Sequence, residues 1–341
     1  MFATTIPTVL AVAVTAGQIA DAPDRLISNH GVELSSDGRV FVLFAALNGL
    51  GYSEESKRKG PPLEASVYHP LRVRSREGMR KLASKDALKN IRKLFDDHPA
   101  VIEAYLAAIL SHDLGLQKLE NKPAGAAATL NDAVAGLRTL AEEPALSQLF
   151  DDLALDQRRH AKKLMAAVEK DFDEAQRHLG IRDLRAPAGL VIVPNPLDSH
   201  GAVREVSVGE SRYLVVGPGL RKARKAILAA SLRPVVKKLV DDNWGSARFL
   251  NKHWDGLRVS KRITQRFADG QAYLTETLTR ALTYRTLKRT GVVDKDDEDF
   301  IDRQTKDGLR WARAALRALG SVSPGERIES FLPKVIARTN P

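Results

Sequence analysis

The sequence predicts a mostly helical α+β fold, on three observations. Apolar residues recur at helical spacing through much of the first 185 positions. Short β-branched runs then cluster between Leu190 and Val216. Helical spacing resumes at Leu220 and continues towards the C-terminal end.

The elements follow in order. Asp37-Gly38 precedes the apolar run Val40 to Leu47, which ends at Asn48-Gly49, so a short buried helix is expected with Asp37 as cap and glycine as stop. Residues 53–62 (SEESKRKGPP) form a charged loop closed by two prolines. Lys81 to Asp96 and Ala100 to Ser111 read as helices separated by His98-Pro99, because the residue before proline disfavours the helical region. Pro123 to Ala128 is a small-residue linker. Leu130 to Leu140 and Leu146 to Leu179 are helical by period, with Pro144 marking the break between them. Leu190 to Val193 is a strand stopped by Pro194-Asn195-Pro196. Val203 to Val208 and Tyr213 to Val216 flank Gly209-Glu210, a hairpin signal that points to a small antiparallel sheet. Gly217-Pro218-Gly219 ends the sheet and a long helix starts near Leu220. Further helices are expected at about 246–257, 261–289, 298–319 and 327–338.

Composition narrows the chemistry. The 341 residues can bury a substantial core, and 43% hydrophobic with 28% charged residues is globular usage. There is no cysteine, which removes disulfides, thiolate nucleophiles, zinc ribbons and iron–sulfur clusters together. A formal net charge of +11 suits polyanion binding, although the basic residues are spread along the chain as they are on an ordinary solvated surface. Aromatic residues, at 6%, are sparse for a protein that stacks on bases. Ile6 to Ala16 is an apolar run of signal-peptide length, with Val14 and Ala16 fitting a cleavage site. Export to the periplasm or beyond is the expectation, although no Lys or Arg precedes the run and a buried strand or helix has the same length. No segment reaches the ~18 uninterrupted apolar residues of a spanning helix, so integral membrane association is not expected. The expected organisation is a signal segment at 1–20, a mainly helical region at 21–185, and an α+β core with C-terminal helices at 186–341.

Several motifs stand in a set order: Asn195-Pro196-Leu197, Tyr213-Leu-Val-Val-Gly-Pro218, the helix around Leu232-Arg233-Pro234, and Glu276-Thr-Leu-Thr-Arg-Ala281. Val32-Glu-Leu34, the apolar helix to Gly51-Tyr52 and Phe95-Asp-Asp-His-Pro-Ala-Val101 precede them. In these features, over most of residues 30–290, the chain resembles an uncharacterised bacterial family of gluzincin-like metallopeptidases, whose metal helix reads H-E-x-L-H-P. The resemblance implies a zincin-like core: a small sheet, a metal-motif helix, and a following helix that carries a glutamate ligand.

The zinc chemistry of that family needs two histidines at i and i+4 on one helix face, and a glutamate at i+1 as general base. Aligning Leu232-Arg233-Pro234 with L-H-P puts Ala229 at the first histidine, Ala230 at the base and Arg233 at the second histidine. Only Glu276, at the third ligand, is kept. The eight histidines (His30, His69, His98, His112, His160, His178, His200 and His253) include no i,i+3 or i,i+4 pair. No G-x-S-x-G elbow or P-loop pattern is present. The expectation is therefore no metal site, no cofactor and no catalytic residues of the familiar kinds.

The leading functional expectation is a catalytically inactive, metallopeptidase-like binding or accessory protein. A peptide or protein partner would occupy the old cleft or add to the sheet edge. The alternative is a binder of nucleic acid or other polyanions through Arg221, Lys222, Arg224 and Lys225, in a stretch (Leu220 to Lys238) without an acidic residue. The Gly217-Pro218-Gly219 turn before this helix also suits an anion site, as it suits a plain sheet-to-helix junction. A third class, hydrolysis at an unrelated site, has no residues to name. Within the cleft, Arg233 is expected to pair with Glu276 in place of a cation, in competition with an i,i+4 pair between Glu276 and Arg280.

Overall fold

A computed structural model describes residues 25–51, 70–82, 85–97, 100–112, 130–257, 260–294, 296–323 and 325–339. The expected signal segment, the loop at 53–62, His98-Pro99 and the linker at 123–128 lie outside them. The chain divides into two compact units, the first from described residues 37–51 and 70–156, the second from described residues 25–36 and 157–339.

The first unit is helical. Helix α1 (Gly38–Gly49) starts as the sequence predicts: Asp37 is extended (φ −120°) and its side chain accepts a hydrogen bond from the Arg39 backbone N–H. The same carboxylate holds the Arg39 guanidinium, with Nη2–Oδ2 at 2.6 Å, and Arg39 also donates to the carbonyl of Leu110 at 3.1 Å. That carbonyl ends α4 (Ile102–Leu110), so one buried arginine ties the start of α1 to the end of α4. Between them in sequence lie α2 (Pro70–Leu82) and α3 (Lys85–Asp97), where the sequence reading has a single helix from Lys81. Buried Arg72 of α2 donates to Asn48 Oδ1 of α1 at 3.0 Å. Helix α5 (Asn131–Ala141) is followed by α6, and Pro144 stands as the first residue of α6 (Pro144–Leu179), where its missing N–H costs nothing. Phe41 of α1 meets Phe150 of α6 edge-on, with centroids 4.9 Å apart.

The second unit holds a five-stranded sheet among the described residues, in the order β1-β2-β3-β5-β4. The strands are β1 (Arg25–Ile27), β2 (Glu33–Ser35), β3 (Leu190–Pro194), β4 (Val203–Val208) and β5 (Ser211–Val216). The β4–β5 hairpin turns at Gly209-Glu210, with Gly209 at φ 56°, as its turn chemistry requires. The sheet itself is mixed, which corrects the antiparallel expectation: β3 pairs in parallel with both β2 and β5. β3 is buried nearly end to end, as a strand covered on both faces is, and so reads as an unbroken apolar run. β1 and β2 come from the region that the sequence reading grouped with the N-terminal helices. The reason is tertiary, because only pairing with β3 places them.

Beyond the hairpin come α7 (Leu220–Asn243), α8 (Arg248–Leu257), α9 (Lys261–Thr264), α10 (Gly270–Arg289), α11 (Asp297–Lys306), α12 (Ala312–Gly320) and α13 (Ile328–Arg338). The predicted helices at 261–289 and 298–319 are each interrupted. Asp269 caps α10 by accepting from Ala272 N–H at 2.7 Å, and Gly308 takes a left-handed φ of 92° between α11 and α12. α7 and α10 pack along each other through Ile227, Leu228, Leu274, Leu278 and their neighbours, which belong to one buried core with Leu214 and Val216 of β5. No helix among the described residues is long and apolar enough to cross a membrane.

Candidate functional site

The site is built where α7 and α10 run side by side. α7 enters from Gly217-Pro218-Gly219, a turn that only glycine allows. Gly219 has φ 98°, and a Cβ there would lie 2.8 Å from the His200 ring; a Cβ on Gly217 would lie 2.4 Å from the Ser199 carbonyl oxygen. The loop it packs on is equally fixed. Asn195 Oδ1 accepts from Leu197 N–H at 3.2 Å, and Asp198, fully buried, holds Arg204 of β4 through Nε–Oδ2 at 2.8 Å. The N-P-L-D and G-P-G segments therefore lock the sheet-to-helix junction, a structural role.

Arg233 of α7 and Glu276 of α10 meet. Arg233 Nη2 donates to Glu276 Oε2 at 2.9 Å, while Arg280 Nε donates to Oε1 of the same carboxylate at 2.6 Å. The cross-helix pair and the i,i+4 pair thus coexist, one on each oxygen. Arg280 continues the chain through Nη1 to Gln304 Oε1 at 3.0 Å and Asp307 Oδ2 at 3.1 Å. Burial alone would push the Glu276 carboxyl up. The charges of Arg233 and Arg280, and their hydrogen bonds, outweigh it and hold the group below the usual carboxylate range. The Glu276 side chain is 16% exposed and that of Arg233 37%, so the cluster is half-buried, with an open face. On that face a cavity of about 340 Å³ is lined by Arg233, Glu276, Lys237, Arg266 and Phe267.

Ala229 lies one turn before Arg233 and is half-buried, whereas Ala230 is 3% exposed within the hydrophobic core. Two methyl groups and a guanidinium donate no lone pair, so Ala229, Ala230 and Arg233 do not fit a zinc ion; Glu276 is the one ligand type present. Among the described residues no group of three or more His, Asp or Glu side chains converges in a way that could hold a metal.

The four cations named at the start of α7 separate. Arg224 turns to α6, where its Nε and Nη2 grip Asp171 at 2.7 and 2.6 Å and Thr290 Oγ1 joins at 2.9 Å. Arg221, Lys222 and Lys225 instead line a second cavity, with Arg303, Lys306 and Asp307 of and just beyond α11. A further basic hollow gathers Arg285, Lys288 and Arg289 around His178. Burial, then the charges of Arg289, Arg285 and Arg177, push His178 down to about 4, and its Nδ1 has no partner among the described residues.

Family models, curated proteins and solved structures give no match to this chain. The site must be read from its own residues. Sequence reasoning reached Arg233, Glu276 and Arg280, the last through helical spacing. It missed Asp171, Arg303, Gln304 and Asp307, which sit on charged helix faces that read as ordinary solvated surface.

Proposed function

We propose that the second unit is a zincin-like core whose metal chemistry has been replaced by an ion cluster, and that the protein binds a peptide or protein partner without cleaving it. The observation that carries this reading is Arg233 bound to Glu276 across α7 and α10. In the resemblance drawn from the sequence, these are the positions of the second and third zinc ligands. A guanidinium is permanently charged and supplies directed donors, so it can neutralise the carboxylate that a metal would otherwise hold. The sheet offers an edge for an extended partner: β4 is six residues long, is paired among the described residues with β5 alone, and follows the loop that packs on the start of α7.

The test restores the ligands and leaves Ala230 alone, since that position faces the core. An Ala229→His/Arg233→His variant would complete a three-ligand set with Glu276. Zinc content of about one ion per chain, lost on adding Glu276→Ala, is the expected result. A variant that keeps the native circular dichroism yet retains no zinc after dialysis would show that α7 and α10 lack zincin geometry.

A further inference from the structure

A cavity of about 540 Å³ lies beyond Arg280 from the ion cluster, between α7, α10 and α11. Five cations stand on its wall: Arg221, Lys222 and Lys225 from α7, and Arg303 and Lys306 from α11. The one carboxylate there, Asp307, is already taken by Arg280 at 3.1 Å. Among the described residues none of the five cations has a carboxylate partner. Arg303 uses its Nε on the Asp299 carbonyl at 3.0 Å, which leaves its terminal nitrogens.

The floor is apolar and closed, with Tyr284, Leu287, Val293 and Phe300 all buried. Tyr284 and Phe300 stack with centroids 4.2 Å apart and an interplanar angle of 23°, beside Leu287 and Val293. The Tyr284 hydroxyl is anchored on the Asp296 carbonyl at 2.9 Å and on Asp297 Oδ1 at 3.0 Å. All five cations reach solvent, yet like charges gathered on one wall repel. Around Lys225, packing by neighbouring atoms and then the charges of Arg280 and Arg303 bring the ammonium below the usual lysine range, and Asp307 and Glu276 offset this only in part.

An incoming group with two or more negative charges would remove the repulsion, and fixed donors on two helices could share its oxygens. The volume is in the range of small-molecule sites. We propose that this cavity binds a small phosphate-bearing molecule, its phosphate held by Lys225, Arg303 and their neighbours. The proposal does not rest on the zincin reading, and failure of zinc restoration would leave it intact.

The experiment is calorimetric titration of the full chain with phenyl phosphate, with inorganic phosphate, and with a DNA duplex at the same ionic strength. Phenyl phosphate and inorganic phosphate are both expected to bind, within ~10-fold of each other, since the charge contact is common to both and the buried floor adds little. Lys225→Met/Arg303→Met should weaken phenyl phosphate by ~10-fold or more, while Lys334→Met, which touches another surface, leaves it unchanged. Lys222→Glu, a charge reversal at the exposed rim, gives a second reading if the double variant folds poorly, and should weaken phenyl phosphate as well. Equal affinities for phenyl phosphate in the parent and both cavity variants would overturn the proposal. So would binding of the duplex alone with a steep salt slope, the mark of a polyanion surface.

Discussion

Arg224 and Lys225 are neighbours on α7 and live in opposite electrostatic worlds. Arg224 reaches Asp171, which is 1% exposed, and is matched charge for charge; Lys225 faces Arg221, Lys222, Arg303 and Lys306 with no carboxylate of its own. The ion cluster, about two and a half turns further along α7, belongs with Arg224: Glu276 is held by the Arg233 and Arg280 guanidiniums, and Arg280 reaches Asp307 as well. Matched charges in this molecule fasten helix to helix. Unmatched ones collect around a cavity, where a ligand can complete them.

The comparison breaks most visibly if the matched pair is cut. Arg224→Met should cost about 3–5 kcal/mol of unfolding free energy, because Asp171 would remain buried with only Thr290 as partner. Urea denaturation checks it, and a loss below about 1 kcal/mol would place Arg224 with the dispensable cations.

Acid titration separates the two remaining basic environments. His178 stays neutral in the folded state down to about 4, whereas an unfolded histidine takes its proton near 6.5. Stability is therefore full above about 6.5, declines as pH falls towards about 4, and loses nothing more to this group below that. The loss should approach roughly 3 kcal/mol at most, and His178→Gln should flatten this limb of the stability–pH curve.

Glu276 acts in a lower window. Its folded carboxyl titrates below the ordinary value of 4.5, so its contribution is present above that value and is lost as pH falls through the lower, folded one. Glu276→Gln should abolish this lower limb and cost about 1–2 kcal/mol at neutral pH, a modest figure because Arg233 is partly solvated. The change to watch is additivity with Arg233→Met: one shared carboxylate predicts that the double variant loses less than the sum of the singles.

The smallest effect belongs to the cavity rim. Lys222→Met should shift stability by less than about 0.5 kcal/mol, in either direction, since no ion pair is removed. Thermal melts with and without phenyl phosphate sharpen the contrast: the ligand should raise the midpoint of the parent chain more than that of the variant.

Features set by a few adjacent residues were legible from the sequence alone. Asp37 caps α1, Gly209-Glu210 turns the β4–β5 hairpin, Pro144 marks the break between α5 and α6 and Gly219 precedes α7, because each depends on hydrogen bonds or backbone angles within about one turn of chain. Even so, the Asp269 cap was hidden inside a continuous helical period and appears only where the chain bends away. Tertiary packing decided the rest. The parallel pairing of β2 with β3 joins residues more than a hundred positions apart, and nothing in a β-branched run states which strand lies beside it. Arg233 and Glu276 were named as partners from the sequence, through the resemblance, but that Arg280 would take the second oxygen and lead on to Asp307 depended on how α10 and α11 lie together. A run of basic residues on one helix looks the same whether it faces carboxylates, water or another basic helix. Only the fold shows that Arg224 meets Asp171 while its neighbours meet Arg303 and Lys306, because the sign of the opposing surface is a property of the packed structure.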